Sequence, residues 1–327
     1  MTTTTLGYQY TDLLPDTYYE HALRADLRRG LSSPDNKQIS PTWFYDARGS
    51  DLFEQITQLD SYYPTRCEHQ ILTRRAATIA DLTRAQTLIE LGSGSSLKTQ
   101  LLLDALGPTL ESYIPLDVSS TALRQACDRL APLYPELQVH GIRTDFHTTL
   151  ELPARTGPRL FAFLGSTIGN LQHPQARVQF LDRLRTTMLP GDHLLLGADL
   201  VKDPATLVAA YDDPTTAQFN LNVLAVINRE TGADFNPGIF THTAPWNPAT
   251  EQIEMRLRSN VDQVVNLPAL DMTVPFTAGE DLLTEISAKF TRSRVTTELA
   301  AARMTLRAWY TDPDQMFGLA LAAPVTR

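Results

Sequence analysis

The chain has 327 residues, 43% apolar and 20% charged, enough for one large or two ordinary domains with a sizeable core. A net charge of −9 argues against a nucleic-acid partner, whose phosphates it would repel. Cys67 and Cys127 are the only cysteines, so a reducing compartment is expected and no zinc-ligand spacing exists.

The opening, MTTTTLGYQYTDLLPD, lacks a basic segment followed by a long apolar run, so no secretory leader is expected. No apolar stretch approaches a membrane span. These features point to a cytoplasmic protein with no membrane partner and no metal site. Residues 18–31 carry helical spacing up to Gly30 and Leu31. Residues 50–59 begin with Ser-Asp, which suits a helix N-terminus, and a further helix starts at Pro64. Strands are then expected at 87–92, 113–117, 137–146, 159–166 and 192–200, alternating with helices at 96–106, 120–134 and 174–188. Such alternation means a parallel sheet with right-handed crossovers. It stops for almost ninety residues, then resumes with a helix at 295–304 and strands at 305–310 and 316–324 joined by the turn residues TDPDQ. The expected fold is therefore α/β, doubly wound, ending in an antiparallel hairpin. Residues 64–200 and 289–327 would form this domain, and 1–63 with 201–288 a second, substrate-binding one.

The stretch GSGSSLKT, Gly92 to Thr99, resembles two phosphate-binding loops and fails both at Leu97. A nucleotide-hydrolase loop needs glycine there, and so does the dinucleotide fingerprint. Gly92 and Gly94 still let backbone approach a ligand at the carboxyl end of the first strand, and Lys98 offers one positive charge, suited to a single carboxylate. An ordinary strand-to-helix turn would read the same way. Three acids follow successive strands: Glu90, Asp117 and Asp145, the last beside Phe146. An acid after the second strand suits two ribose hydroxyls, and an aspartate beside an aromatic suits the edge and face of an adenine. A nicotinamide dinucleotide would use the ribose acid too. S-adenosylmethionine has no pyrophosphate, which fits the missing third glycine and the added lysine.

FLGSTIGNL, Phe163 to Leu171, ends the fourth strand, where Gly165 and Asn170 offer backbone and amide groups. In TEISAKF, period-2 spacing puts Glu285, Ser287 and Lys289 on one face. Glu285 and Ser287 could grip a donor-rich side chain, although a solvated strand face is the plainer reading. IEMRLRS, 253–259, alternates likewise, with Met255 in its apolar set. The seven histidines form no ligand or triad-like spacing.

Taken with WFYDARGSDLFEQIT, YYPTR, LLLGADLVKDP, AYDDP, FNLNVLAVINRE, FTAGEDLLTEISAKF and WYTDPDQMFGLALA, in order from about residue 42 to 322, these blocks resemble the histidine-specific Nα-methyltransferases of ergothioneine biosynthesis. The resemblance implies a class I methyltransferase sheet, S-adenosyl-L-methionine as cofactor, L-histidine as substrate, hercynine as product and a monomeric state. It implies cofactor contacts at Tyr45, Gly92, Lys98, Asp117, Asp145, Phe146 and Gly165. Substrate contacts would fall on Tyr62, Asn170, Tyr211, Phe219 and Met255, with Glu285 and Ser287 as the imidazole-binding pair. Tyr62 and Asn170 would be the catalytic pair that orients the amine.

Overall fold

The computed structural model describes residues 2–5, 7–15, 17–33, 36–94, 98–107, 109–146, 150–154 and 156–325. In chain order the strands are β1 (Thr2–Thr5), β2 (Tyr8–Asp12), β3 (Thr87–Leu91), β4 (Ser112–Asp117), β5 (Gln138–Arg143), β6 (Arg159–Phe163) and β7 (His193–Asp199). Then come β8 (Phe240–Thr243), β9 (Trp246–Asn247), β10 (Gln252–Ser259), β11 (Gln263–Leu267), β12 (Met272–Phe276), β13 (Asp281–Ala288), β14 (Met304–Thr311) and β15 (Phe317–Pro324). Two compact units form, one from Met1–Leu14, Pro64–Val201 and Lys289–Arg327, the other from Pro15–Tyr63 and Lys202–Ala288.

The first unit is built on a nine-stranded sheet of order β1-β2-β5-β4-β3-β6-β7-β15-β14. From β2 to β7 neighbours run parallel; β15 is antiparallel to both β7 and β14. Every residue of β3 and β6 is buried, as expected of strands covered on both faces. Strand order reverses between β3's two neighbours, β4 and β6, and at such a switch point a crevice opens beyond the strand ends. The helix Ser120–Leu130 between β4 and β5 starts at Ser119, whose Oγ accepts the Ala122 N–H at 3.3 Å.

Residues 1–63 do not stay together as expected. β2 adds in parallel to β5, and β1 folds back on β2, so residues 1–14 complete the first unit's sheet. The cause is alternation in YQYTD: Tyr8 and Tyr10 are buried and Gln9 exposed, with Arg124 stacked 3.8 Å above the Tyr10 ring and Asp12 paired to Arg143 at 3.0 Å. Lys289 also departs from expectation. β13 ends at Ala288, and Lys289 lies in the first unit, 0% exposed and paired with Asp199 at 2.8 Å. A buried ammonium needs that carboxylate, so the period-2 face ends at Ser287.

In the second unit, β13, β10 and β8 form an antiparallel sheet with β9 on β10, and β11 and β12 make a separate hairpin. The helix Pro214–Thr231 lies against β8 and β10. Its N-terminus has Pro214 behind the cap Asp213, which accepts the Thr215 N–H at 2.7 Å; its end is Gly232 in the left-handed region. A second helix, Ala47–Thr57, packs on it. It starts three residues before the expected Ser50, because Asp46 caps it by accepting the Gly49 N–H at 2.8 Å. The other oxygen of Asp46 pairs with Arg229 at 2.9 Å, and Asn222 donates at 2.9 Å to the oxygen that accepts Gly49, joining the two helices. Among the described residues no helix is long and apolar enough to cross a membrane.

Candidate active site

In the first unit the expected cofactor residues gather at the carboxyl ends of β3 to β6. After β3, the Gly92 and Ser93 amides both donate to the Leu116 carbonyl, at 2.9 and 3.1 Å. Gly92 and Gly94 have φ of +70° and +48°, a region that L side chains rarely enter. Among the described residues, a side chain on Gly94 would meet no atom within 4 Å, so the backbone there is open on that side. A methyl on Gly92 would lie 3.5 Å from the Phe146 ring, which therefore sits directly over the turn. Leu97 lies outside the described residues.

Asp117 closes this turn. Its carboxylate accepts the Gly94 N–H at 3.1 Å and the Ser119 N–H at 2.9 Å. Each carboxylate oxygen has two lone pairs, so acceptor capacity remains for a ligand hydroxyl. Burial pushes the Asp117 carboxyl above the usual carboxylate range, against the opposing pull of the Ser119, Gly94 and Val118 amides. Asp145 and Phe146, both half-buried, follow β5; the Phe146 ring packs edge-on against Phe163 at 6.0 Å and Phe180 at 6.4 Å. Glu90 does not join this row. It is 4% exposed, and its carboxylate accepts the hydroxyls of Thr99 and Tyr113. The first acid of the expected series is thus a buried tether for the loop, not a group at its mouth.

Beyond β6, Gly165 and Ser166 are both left-handed, with φ of +72° and +58°. Ser166 is held there by its Oγ, which accepts the Asp199 N–H at 2.9 Å. Asn170 ends the 3-10 turn Thr167–Asn170 and is half-buried. Lys98 reaches Gly165, whose added Cβ would lie 3.8 Å from the ammonium. The same ammonium donates to Glu68, a buried residue of the helix Tyr63–Thr83.

The second unit holds Tyr45, Tyr62, Tyr211, Phe219, Met255, Glu285 and Ser287. Tyr45 packs edge-on against Phe53 at 5.7 Å and Phe219 at 5.6 Å; Tyr62 packs against Phe53 at 6.3 Å and Tyr211 at 6.0 Å. Phe53, which also packs on Phe219 at 5.9 Å, therefore links three expected site residues, although its place in the sequence does not single it out. It stands beside the buried stripe Gly49, Leu52 and Ile56 of its helix, and flank position is the signal that could have found it. Met255 of β10 lies opposite Glu285 of β13, and Ile253 opposite Ser287, so these four share one face of the sheet. The Ser287 hydroxyl meets the Tyr211 hydroxyl at 2.9 Å. Asn170, expected to work with Tyr62, belongs to the first unit, and Tyr45, expected at the cofactor, to the second.

Tyr211 is anchored through its backbone. His242 lies 2.9 Å from the Tyr211 carbonyl through Nε2 and 2.9 Å from the Asn220 amide through Nδ1. Asn220 donates at Nδ1, so Nε2 carries the proton and the ring is neutral. Burial holds the His242 pKa below its ordinary 6.5, against the Tyr211 carbonyl and Asp212. A depressed histidine stabilises the fold above the unfolded value and loses that contribution as pH falls from about 6.5 through the folded value. Thermal melts at stepped pH should thus fall more steeply on acidification for the wild type than for His242→Gln. His193 is depressed by burial too, so part of the wild-type slope should survive in the variant. Identical slopes would remove His242 from this role.

A family model described as histidine-specific methyltransferase, SAM-dependent, matches residues 23–324. The chain belongs to this family. It is 52% identical over 306 residues to the histidine N-alpha-methyltransferase of Mycobacterium tuberculosis (strain CDC 1551 / Oshkosh), covering 92% of this chain and 95% of that one. It is 34% identical over 206 residues to ergothioneine biosynthesis protein 1 of Neurospora crassa, covering 60% of this chain but 23% of that one. Among solved structures, the CcbJ methyltransferase from Streptomyces caelestis matches with a TM-score of 0.53 at 13% identity, covering 88% of this chain and all of that one, a likeness of fold alone. The sheet is that of class I S-adenosylmethionine-dependent methyltransferases, and the family's cofactor is S-adenosylmethionine. The residues present fit it: open backbone at Gly94, an acid at the end of β4, an aromatic ring over Gly92, and a cation beside Gly165.

Proposed function

We propose that this member of the histidine-specific methyltransferases moves three methyl groups, one after another, to the α-amine of L-histidine, giving hercynine for ergothioneine biosynthesis. The observation that carries the substrate is the face shared by Glu285 and Ser287, with Ser287 tied to Tyr211. An imidazole presents two ring nitrogens, a donor and an acceptor when neutral and two donors when charged. A carboxylate and a hydroxyl two residues apart on one strand face can serve both. An indole has one ring donor and no ring acceptor, so it could engage only one of the two groups.

S-adenosylmethionine, when bound, supplies a methyl group activated by the sulfonium. Gly92, Lys98 and Gly165 would hold its amino-acid end, Asp117 its ribose, Asp145 and Phe146 its adenine, and Tyr45 a further contact. For transfer the amine must be neutral; an α-amine has a pKa of about 7.7–8 in peptides, somewhat higher in a free amino acid, so no strong base is essential. Tyr62 and Asn170 would orient it, the Tyr62 phenol oxygen accepting a hydrogen bond from the amine N–H so that the lone pair points at the methyl. The gain is chiefly orientation at near-attack distance. Tyr211 would bind the histidine carboxylate, while Phe219 and Met255 line the apolar part of the pocket.

Tyr62→Phe should lower kcat on the order of 10- to 100-fold, the worth of one hydrogen bond to a charged or charging group, with little change in cofactor affinity. A wild-type kcat would take Tyr62 out of the amine site. We further place the protein in the cytoplasm as a monomer; two buried cysteines, not joined in a disulfide, suit a reducing compartment, and the monomeric state rests on the resemblance. Mixing the chain with S-adenosylmethionine and single amino acids, then following product mass, tests the whole reading. Three methyl additions to histidine alone are expected; methylation of tryptophan instead, or of nothing, overturns it.

A further inference from the structure

Glu68 is 0% exposed, yet both of its oxygens face polar groups of the first unit. The Gly165 N–H lies 2.9 and 3.0 Å from them, and one oxygen accepts Lys98 Nζ. Lys98 belongs to the loop after β3 and Gly165 to the loop after β6, so a side chain from a third element, the helix Tyr63–Thr83, joins two loops that the chain does not make neighbours. Gly197 of β7 makes room for it: a Cβ there would stand 2.4 Å from Glu68 Oε1 and 3.2 Å from the Gly165 nitrogen. A buried carboxylate is tolerated where charge and hydrogen bonds compensate it, and these are the partners that do so. A lysine has a long, rotamer-rich stem, and pinning its head removes entropy that ligand binding would otherwise have to overcome.

We propose that Glu68 is a positioning residue for the cofactor's amino-acid end. Its carboxylate fixes the Lys98 ammonium and the left-handed Gly165 loop together, so that the cation which would meet the cofactor carboxylate is in place before binding. This rests on the reading of Lys98 and Gly165 given above. It makes a claim that a merely structural role does not: the effect is confined to ligands that carry the amino-acid end.

The test uses the full chain and two probes, S-adenosylhomocysteine and 5′-methylthioadenosine, which lacks the amino-acid portion, each titrated by calorimetry. Glu68→Gln keeps size and one acceptor but loses the charge; Gly197→Ala keeps the charge and displaces the carboxylate. Both should weaken S-adenosylhomocysteine about 10-fold or more, as loss of one charged hydrogen bond does, and leave methylthioadenosine within about 2-fold. Gly197→Ala gives the same readout should Glu68→Gln not fold. Equal loss for both probes, or unchanged or tighter binding of S-adenosylhomocysteine by a folded variant, overturns the proposal. Failure of the wild type to bind S-adenosylhomocysteine would instead sink the cofactor reading beneath it.

Discussion

Glu285→Ala is expected to lower kcat/KM for histidine on the order of 100- to 1,000-fold, the usual cost of truncating one partner of a hydrogen-bonded charge pair. Affinity for S-adenosylhomocysteine should stay within about 2-fold, since nothing in the assignment brings that residue to the cofactor. Glu285 is half-buried on β13, opposite Met255, and shares its face with Ser287. Removing its carboxylate would leave an imidazole N–H without an acceptor inside a pocket that water no longer fills, and a site built on such a bond discriminates by far more than one methylene can. Steady-state kinetics and calorimetry separate the two quantities. Unchanged kcat/KM for histidine would show that the imidazole lies elsewhere.

Asp117→Ala is expected to act on the other ligand. Two hydrogen bonds to a charged acceptor, about 1.5–3 kcal/mol each, set a loss of S-adenosylmethionine affinity on the order of 100- to 1,000-fold or more. Part of the effect would come from the turn itself, because Gly94 and Ser119 lose their common acceptor. Melting temperature without ligand measures that part, and the remainder belongs to the ribose. The raised Asp117 pKa adds a pH signature. The carboxylate accepts ribose hydroxyls when ionised, so affinity should be full well above its pKa and fall as acid protonates it. That fall begins at a higher pH than an ordinary aspartate would give. An alanine variant that binds the cofactor as the wild type does would refute the ribose assignment.

Much of this fold was legible because its signals are local. Five apolar strands alternating with helices require a parallel sheet, and the closing pair of strands around TDPDQ requires a hairpin. Gly92, Gly94 and Asp117 are brought together for the same reason: each ends or follows a strand, and parallel neighbours align their carboxyl ends. The misreadings have a common cause. Residues 8–12 alternate clearly, but only the free edge of β5 decides which unit takes them. Lys289 continues a period-2 pattern by spacing, but Asp199, 90 positions earlier, takes it out of the strand. Glu90 and Asp117 look alike at strand ends, and Tyr113 and Thr99 turn one of them inward.

Sequence alone determined a parallel sheet closing in an antiparallel hairpin and the residue types at the glycine turn, because side-chain periodicity and turn chemistry act over a few residues. It also carried the family, through blocks spread in order along the chain. Tertiary structure decided which acids face outward, that Phe53 links Tyr45, Tyr62 and Phe219, and that Glu68 joins Lys98 to Gly165. Those are long-range pairings. They depend on which buried charge finds which partner, and that is set by packing across the molecule.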